Sequence, residues 1–348
     1  MDIKKVGKAI AYLRKRAGYT QKDLADRIGI SDKAVSKWER GLGLPDISYF
    51  GKLSVLLDID TDSLLAGDVF RQDKGWAGLL FLTDNPYKIG ASTLIYDKPL
   101  VYYLLSYFLL AGIKKIVIMC DQKDVAYLQT EFGDGSKLGI NLYYCNRDCE
   151  GRADTLKPIV GCSNVMVVCG RSFIYGVGQT RFFQRAMVNK DRLTFLSFPK
   201  KVGDTTNKVF FDENRKVINE LNLEKIRTQY DYYGIPVFFC PFNMLNRAYS
   251  LKGDDGIICL PYTALQSGLV YTEFPDRGYV EISIDTPNDI LEVSNYVRMV
   301  QKWSGMNIYC IEEIAWRRGM ISINELEAFG KQKANTEYGE YILSLCHR

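Results

Sequence analysis

Histidine is all but missing from this sequence: one residue, His347, in 348. A mechanism that needs a histidine base is thereby close to excluded. So is a zinc site, because Cys145 and Cys149 stand four apart with no histidine near them. The nine cysteines are odd in number and follow no framework spacing, the pattern of reduced thiols in a cytosol. No signal-peptide pattern opens the chain, since Met1-Asp2-Ile3-Lys4-Lys5 leads into an amphipathic segment. The longest apolar run, Leu100–Ile113, has fourteen residues against the roughly 20 that a spanning helix needs, and it reads as a buried core helix. No internal repeat is visible. These absences predict a cytoplasmic protein with no membrane partner.

What is present is a globular composition, 47% hydrophobic and 25% charged, in a chain long enough for two or three domains. Charge is unevenly placed. Residues 1–40 hold eleven Lys/Arg against five acids, a net of +6, whereas the whole chain is +4 and the other 308 residues therefore sum to −2. A basic excess confined to one small unit is the footprint of a polyanion partner for that unit.

The pattern of the first sixty-odd residues is helical. Apolar Val6, Ile10 and Leu13 have helical spacing over Ile3–Ala17, with Gly18 as the stop. Thr20 caps a helix from Gln21 to Ile28, with Asp23 in its first turn, and Gly29 ends it. Ser31 caps Asp32–Arg40, whose Val35 and Trp38 face inward; Gly41 and Gly43 follow, and Pro45-Asp46 opens a fourth helix through Leu57. Two short helices around Gly29 make a helix-turn-helix. The stretch TQKDLADRIGISDKAVSKWERG resembles the lambda-repressor/Cro-like (Xre) family over residues 3–66. By position, the resemblance implies groove-reading residues Ser31, Asp32, Lys33 and Lys37, with Arg40 near the backbone and Thr20 and Gln21 on phosphates. Double-stranded DNA is the implied partner. Asp32 also has a plain role as a helix N-terminal acid, and solvated lysines on a simple bundle are the plainer account of the basic face.

A polar stretch at 67–75 reads as a linker, and 76–348 as a second domain in which strand-like and helical segments alternate. Strands are expected at 75–82, 113–120, 140–145, 164–169, 193–198, 207–211 and 235–240, with helices at 98–112 and 122–131. Few hairpin signals accompany them, which predicts an α/β fold with a mostly parallel, Rossmann-like sheet covered by helices. The run Val165–Cys169, a strand buried on both faces, delivers Arg171 just past its end, where open α/β sheets meet their ligands. That arginine could hold a phosphate, pair with an internal acid, or stand where a different group belongs.

Several segments, LIYDKPLVYYLLSYFLLAGIKKIVIM, FGDGSKLGINLYYC, FIYG, DILEVSNYV, CIEEIAWRRGMI and YGEYI, resemble bacterial glucose-1-phosphate thymidylyltransferase from about residue 76 onward, including its terminal helices. The resemblance implies a nucleotidyltransferase fold, dTTP and glucose 1-phosphate as substrates, two metal-holding aspartates, and a tetramer built from dimers. It also shows departures. The glycine-rich phosphate loop GGxGTRLxPxT is answered by LTDNPYKIGAST, with Asp84 where phosphate would lie. The loop's lysine falls on Gly90, with Lys88 two residues away. The metal aspartates fall on Arg171 and Ser283, with Asp285 two positions on along the same side of a strand, and the sugar-holding EKP has no match at Asn219–Leu223. A vestigial active site at Asp84, Lys88, Gly90, Arg171 and Ser283 is expected from this, with no enzyme activity, no cofactor and no magnesium. The family's regulatory nucleotide site is matched in residue type by Leu110, Tyr175, Gly176, Arg277, Glu313, Ile314 and Arg317. These residues imply an effector pocket for a nucleotide or dTDP-sugar, in which Glu313 and Arg317, four apart on one helix face, take the ribose or base and the phosphate. An ordinary surface ion pair is the plainer reading of those two. The combined expectation is a transcriptional regulator with a nucleotide-sensing domain, acting as a homodimer or homotetramer; the alternatives are an active, self-regulating thymidylyltransferase and a ligand-free scaffold that pairs with a true one.

Overall fold

The computed structural model describes residues 2–16, 19–57, 59, 61–67, 75–82, 85–146, 156–159, 161–199, 208–211, 217–218, 232–247 and 270–346. Gly18, Asp84, Cys149, most of the expected linker and Asn219–Leu223 lie outside the described residues. The chain divides into two compact units, residues 1–72 and Asp73–Cys346.

The described residues of the first unit form five helices: α1 (Ile3–Arg16), α2 (Gln21–Ile28), α3 (Asp32–Glu39), α4 (Ile47–Leu56) and α5 (Thr61–Ala66). Its apolar spacing does what the pattern predicts, burying Val6, Ile10, Leu13, Leu24, Ile28, Val35 and Trp38 in one core. The ends are chemically written. Thr20 and Asp23 form a reciprocal capping box at the start of α2, Gly29 closes it in the left-handed region, and Ser31 accepts from the Ala34 N–H to cap α3. The α1 and α3 backbones meet at Gly7, where an added methyl would stand 2.1 Å from the Trp38 carbonyl oxygen.

Among its described residues the second unit has a nine-stranded sheet with helices packed on it. Its centre is four parallel strands in the order β6 (Asn164–Cys169), β1 (Trp76–Phe81), β4 (Lys115–Cys120), β5 (Asn141–Asn146). β1, β6 and, after Lys115, β4 read as apolar runs because both faces are covered. Ala77, Leu79, Phe81, Val165 and Val167 enter one core, and Leu80, Met166 and Val168 the other. A short ribbon, β2 (Leu94–Ile95) with β3 (Lys98–Pro99), leads into α6 (Leu100–Ala111), the apolar run of the sequence. All of α6 but Leu110 is buried, against β1, where Gly78 leaves room for the Phe108 ring. No helix among the described residues is long and apolar enough to cross a membrane.

Helix α7 (Gln122–Phe132) follows β4, and β7 (Ser172–Tyr175) leaves β6 after Gly170. Next come α8 (Gln179–Met187), β8 (Leu193–Pro199), β9 (Lys208–Phe211), β10 (Val217–Ile218), β11 (Tyr232–Pro241) and a helical segment α9 over 242–247. β12 (Val270–Glu273) and β13 (Val280–Ser283) precede α10 (Pro287–Ser304), α11 (Ile311–Arg317), α12 (Ile323–Gln332) and α13 (Glu337–Cys346). The sheet departs from a parallel one at β11, which runs antiparallel to β6, β8 and β9. β13 pairs antiparallel with β7, Ser283 opposite Ser172 and Val280 opposite Tyr175. That ribbon sets the geometry below.

Candidate functional site

In the first unit, the exposed residues at the start and outer face of α3 are Ser31, Asp32, Lys33, Lys37 and Arg40. Lys33 and Lys37 are one helical turn apart, opposite the buried Val35 and Trp38. The side chains at the head of α2 are partly committed within the fold. Thr20 Oγ1 donates to Asp23 (2.7 Å), and Gln21 Nε2 donates to Glu39 (2.6 Å). Asp32 accepts from the Lys33 N–H, the helix N-terminal role open to it, and Arg40 Nε donates to the Ser36 carbonyl. Behind this surface lies a group the sequence reading missed: Arg14 is almost fully buried and meets both Glu39 oxygens, at 2.5 and 3.0 Å, while donating to the Tyr19 carbonyl. The ion pair ties α1 to the end of α3 and so fixes the basic helix. One arginine in an amphipathic stretch carries no local mark of a partner 25 residues away.

In the second unit, Arg171 follows Gly170 at the carboxyl end of β6 and is 5% exposed. Its Nε donates to the Ile89 carbonyl (2.7 Å), its Nη1 lies 3.8 Å from Asp285 Oδ1, and its carbonyl accepts from the Ile284 N–H. Asp285 is not on the strand as expected; β13 ends at Ser283, and Asp285 stands in the turn before the Thr286 cap of α10. The Ser283 hydroxyl turns to Glu281 (3.3 Å). Gly90, the position of the resemblance's lysine, is held against Asp124: an added methyl would meet its carboxylate oxygens at 2.7 and 2.8 Å. Asp124 accepts from the Ala91 N–H, and burial holds its carboxyl above the ordinary carboxylate range. Lys88 is exposed, in a left-handed backbone conformation. The crevice therefore brings Arg171, Ser283, Gly90 and Asp124 together, while Asp84 lies outside the described residues. Magnesium, which the resemblance implies here, is held by oxygen donors of net negative charge. A guanidinium at 171 and a hydroxyl at 283 do not fit it.

The residues expected to hold an effector are spread over α6, the end of β7, the turn before β13 and α11. Tyr175 and Gly176 end β7, and Gly176 abuts the Tyr279 ring in the turn that carries the exposed Arg277. Tyr175 contacts Tyr309, just before α11, with ring centroids 5.8 Å apart, and Arg318 Nη2 donates to Thr180 at the start of α8. Glu313 and Arg317 meet each other at 2.6 Å, and Glu313 also accepts from Tyr341 (2.6 Å). Their charges are thus joined in this structure, and Arg317 remains about half exposed. Leu110 and Ile314 are half-buried, packed against the main core.

A helix-turn-helix unit joined to a nucleotidyltransferase-fold unit is the class that these features define. The Helix-turn-helix family profile matches residues 10–64 and the Nucleotidyl transferase profile residues 91–218. Glucose-1-phosphate thymidylyltransferase of Neisseria gonorrhoeae is 30% identical over 261 residues, 72% of this chain and 90% of that one. The protein of the same name from Mycolicibacterium smegmatis is 30% identical over 279 residues, 76% of this chain and 95% of that one. A solved structure from Bacillus anthracis, described as a glucose-1-phosphate thymidylyltransferase in complex with a sucrose, shares the fold at a TM-score of 0.51 and 15% identity. It covers 64% of this chain and 95% of its own. The chain belongs to the glucose-1-phosphate thymidylyltransferase family, with an Xre-type helix-turn-helix fused to it. The expectation that it is not an enzyme is corrected by these relatives: chains about 30% identical over most of their length carry an enzyme's name. The changes at positions 90, 171 and 283 do not by themselves carry a loss of chemistry.

Proposed function

We propose that this protein is a DNA-binding transcriptional regulator whose thymidylyltransferase-family unit binds a nucleotide or dTDP-sugar and adjusts DNA affinity accordingly. The observation that carries this is the fusion itself: a helix-turn-helix unit with Lys33 and Lys37 exposed on one helix, and a thymidylyltransferase-family unit, in one chain. Thr20, Gln21, Ser31, Asp32, Lys33, Lys37 and Arg40 face DNA. Leu110, Tyr175, Gly176, Arg277, Glu313, Ile314 and Arg317 receive the effector, whose phosphate displaces Glu313 as the partner of Arg317. Coupling requires the ligand to favour one arrangement of the DNA-binding units by about 1–3 kcal/mol. A homodimer or homotetramer would present two such units to a palindromic site. Calorimetry of the full chain with dTTP, dTDP-glucose and dTDP-rhamnose tests the reading. Heat with at least one, lost in Arg317→Ala while ligand-free DNA binding persists, supports it; no heat with any of the three removes the sensor.

A second reading, an active enzyme that regulates its own supply, is favoured by the names of the relatives. Pyrophosphate release from dTTP and glucose 1-phosphate is its assay.

A further inference from the structure

The crevice at the end of β6 contains a cation that belongs to the chain. Arg171 is buried against two oxygen atoms, the Ile89 carbonyl at 2.7 Å and the Asp285 carboxylate at 3.8 Å, and the Asp124 carboxylate stands beside Gly90, the residue after Ile89. Two carboxylates and a carbonyl are the donor types that attract a hard divalent ion. Here a guanidinium sits among them instead, fixed by the β6 backbone and by Gly170 before it.

Two segments meet at that position, and a third braces one of them. Residues 85–91 are tied to Arg171 through Ile89, and to the turn between β13 and α10 through Asn85 Nδ2, which donates to the Asp285 carbonyl at 2.9 Å. The turn between β13 and α10 is tied by Asp285 and by the Ile284 N–H on the Arg171 carbonyl. Helix α7 brings Asp124, whose carboxylate fills the space that a side chain at position 90 would take and accepts from Ala91. Relative to the resemblance, the sign of charge at two positions is exchanged: an acid fills the lysine's place and an arginine the aspartate's.

We infer that Arg171 is the resident cation of this crevice, joining the 85–91 loop, which Asp124 of α7 braces, to the β13–α10 turn in the way a divalent ion would. Order in the crevice is then independent of divalent metal. An anionic ligand that enters meets a positive charge which chelation does not remove. This last consequence rests on the nucleotide-binding reading; the structural role of Arg171 does not.

The test is thermal unfolding of the full chain in millimolar magnesium chloride and in EDTA. The wild-type midpoint should be the same in both; a midpoint raised by magnesium and lowered by EDTA overturns the inference. In Arg171→Asp a third carboxylate joins Asp124 and Asp285. Its midpoint should fall in EDTA and recover by several degrees with magnesium, whereas a variant indifferent to both counts against the oxygen cluster. If that variant does not fold, Arg171→Ala is measured against Arg171→Lys. The lysine should recover part of the loss, and equal loss in both refutes a role for the charge. Calorimetry with dTTP in EDTA completes the set. Binding that survives chelation agrees with a resident cation, and binding that needs magnesium contradicts it. The absence of binding in either buffer would remove the sensor while the melting results still decide the role of Arg171.

Discussion

Two glycines of the first unit make opposed predictions from one substitution. Gly7 and Gly51 both lie inside helices, where alanine is favoured over glycine by about 1 kcal/mol. Propensity alone therefore has both Gly→Ala changes stabilising. At Gly51 nothing lies within 4 Å of an added methyl and the site is exposed, so the full gain of about 1 kcal/mol is expected. At Gly7 the methyl would stand 2.1 Å from the Trp38 carbonyl oxygen, where ordinary contact begins at 3.4 Å. The obstacle is backbone, so no rotamer relieves it; α1 must retreat from α3 by roughly an ångström. Overpacking of this kind costs about 1–3 kcal/mol, here at the upper end. The net for Gly7→Ala is a loss of about 2 kcal/mol, a gap of about 3 kcal/mol from Gly51→Ala. Urea denaturation with hydrogen exchange of the α1 and α3 amides reads this in the first unit alone. If Gly7→Ala proves as stable as Gly51→Ala, the close approach of the two helices is wrong.

Replacing both Lys33 and Lys37 by Ala should weaken DNA binding and reduce the slope of log K against log salt by about 0.9 for each lysine that neutralises a phosphate. Fluorescence anisotropy across a salt series measures it, and an unchanged slope would take both residues off the DNA backbone. Tyr107 is wholly buried, donates to the Ser172 carbonyl and accepts from the Ile174 N–H, each at 2.8 Å. Tyr107→Phe leaves both backbone groups of β7 unpaired, so an unfolding free energy lower by about 1–3 kcal/mol is expected in urea titration. Acid sensitivity follows from the caps. Thr20 holds Asp23 below its ordinary value of 3.8, and Ser48 does the same for Asp46, through hydrogen bonds to the ionised forms. A carboxyl lower in the folded than in the unfolded chain adds stability above the unfolded value and loses it as pH falls below. Asp23→Asn should therefore flatten the acid limb of the stability–pH curve below about pH 4.

Much of this architecture was readable wherever the decisive partner was local. Thr20, Asp23, Gly29 and Ser31 cap helices through residues within four positions, and the two-faced strands β1 and β6 announce themselves by unbroken apolar runs. The antiparallel entry of β11 beside β6 was not readable, because a strand's neighbour is chosen by the whole sheet. The Arg14–Glu39 pair and the Asp124 carboxylate under Gly90 were hidden for the same reason, each joining residues 25 or more positions apart. Asp285 was expected along a strand and stands beyond its end, since alternation gives the face of a residue but not where pairing stops. Residue identities at 90, 171 and 283 were legible; what they do together depended on seeing which oxygens surround the guanidinium.

Strand β7 has only four residues, and its two ends serve different neighbourhoods. Ser172 adjoins the arginine crevice, and Tyr175 adjoins the face carrying Arg277 and α11. At about 3.3 Å per residue the distance between them is roughly 10 Å. The strand is clamped along its length by Tyr107 and by the Tyr309 hydroxyl on the Ile174 carbonyl. Those bonds hold Ser172 and Tyr175 at one fixed spacing.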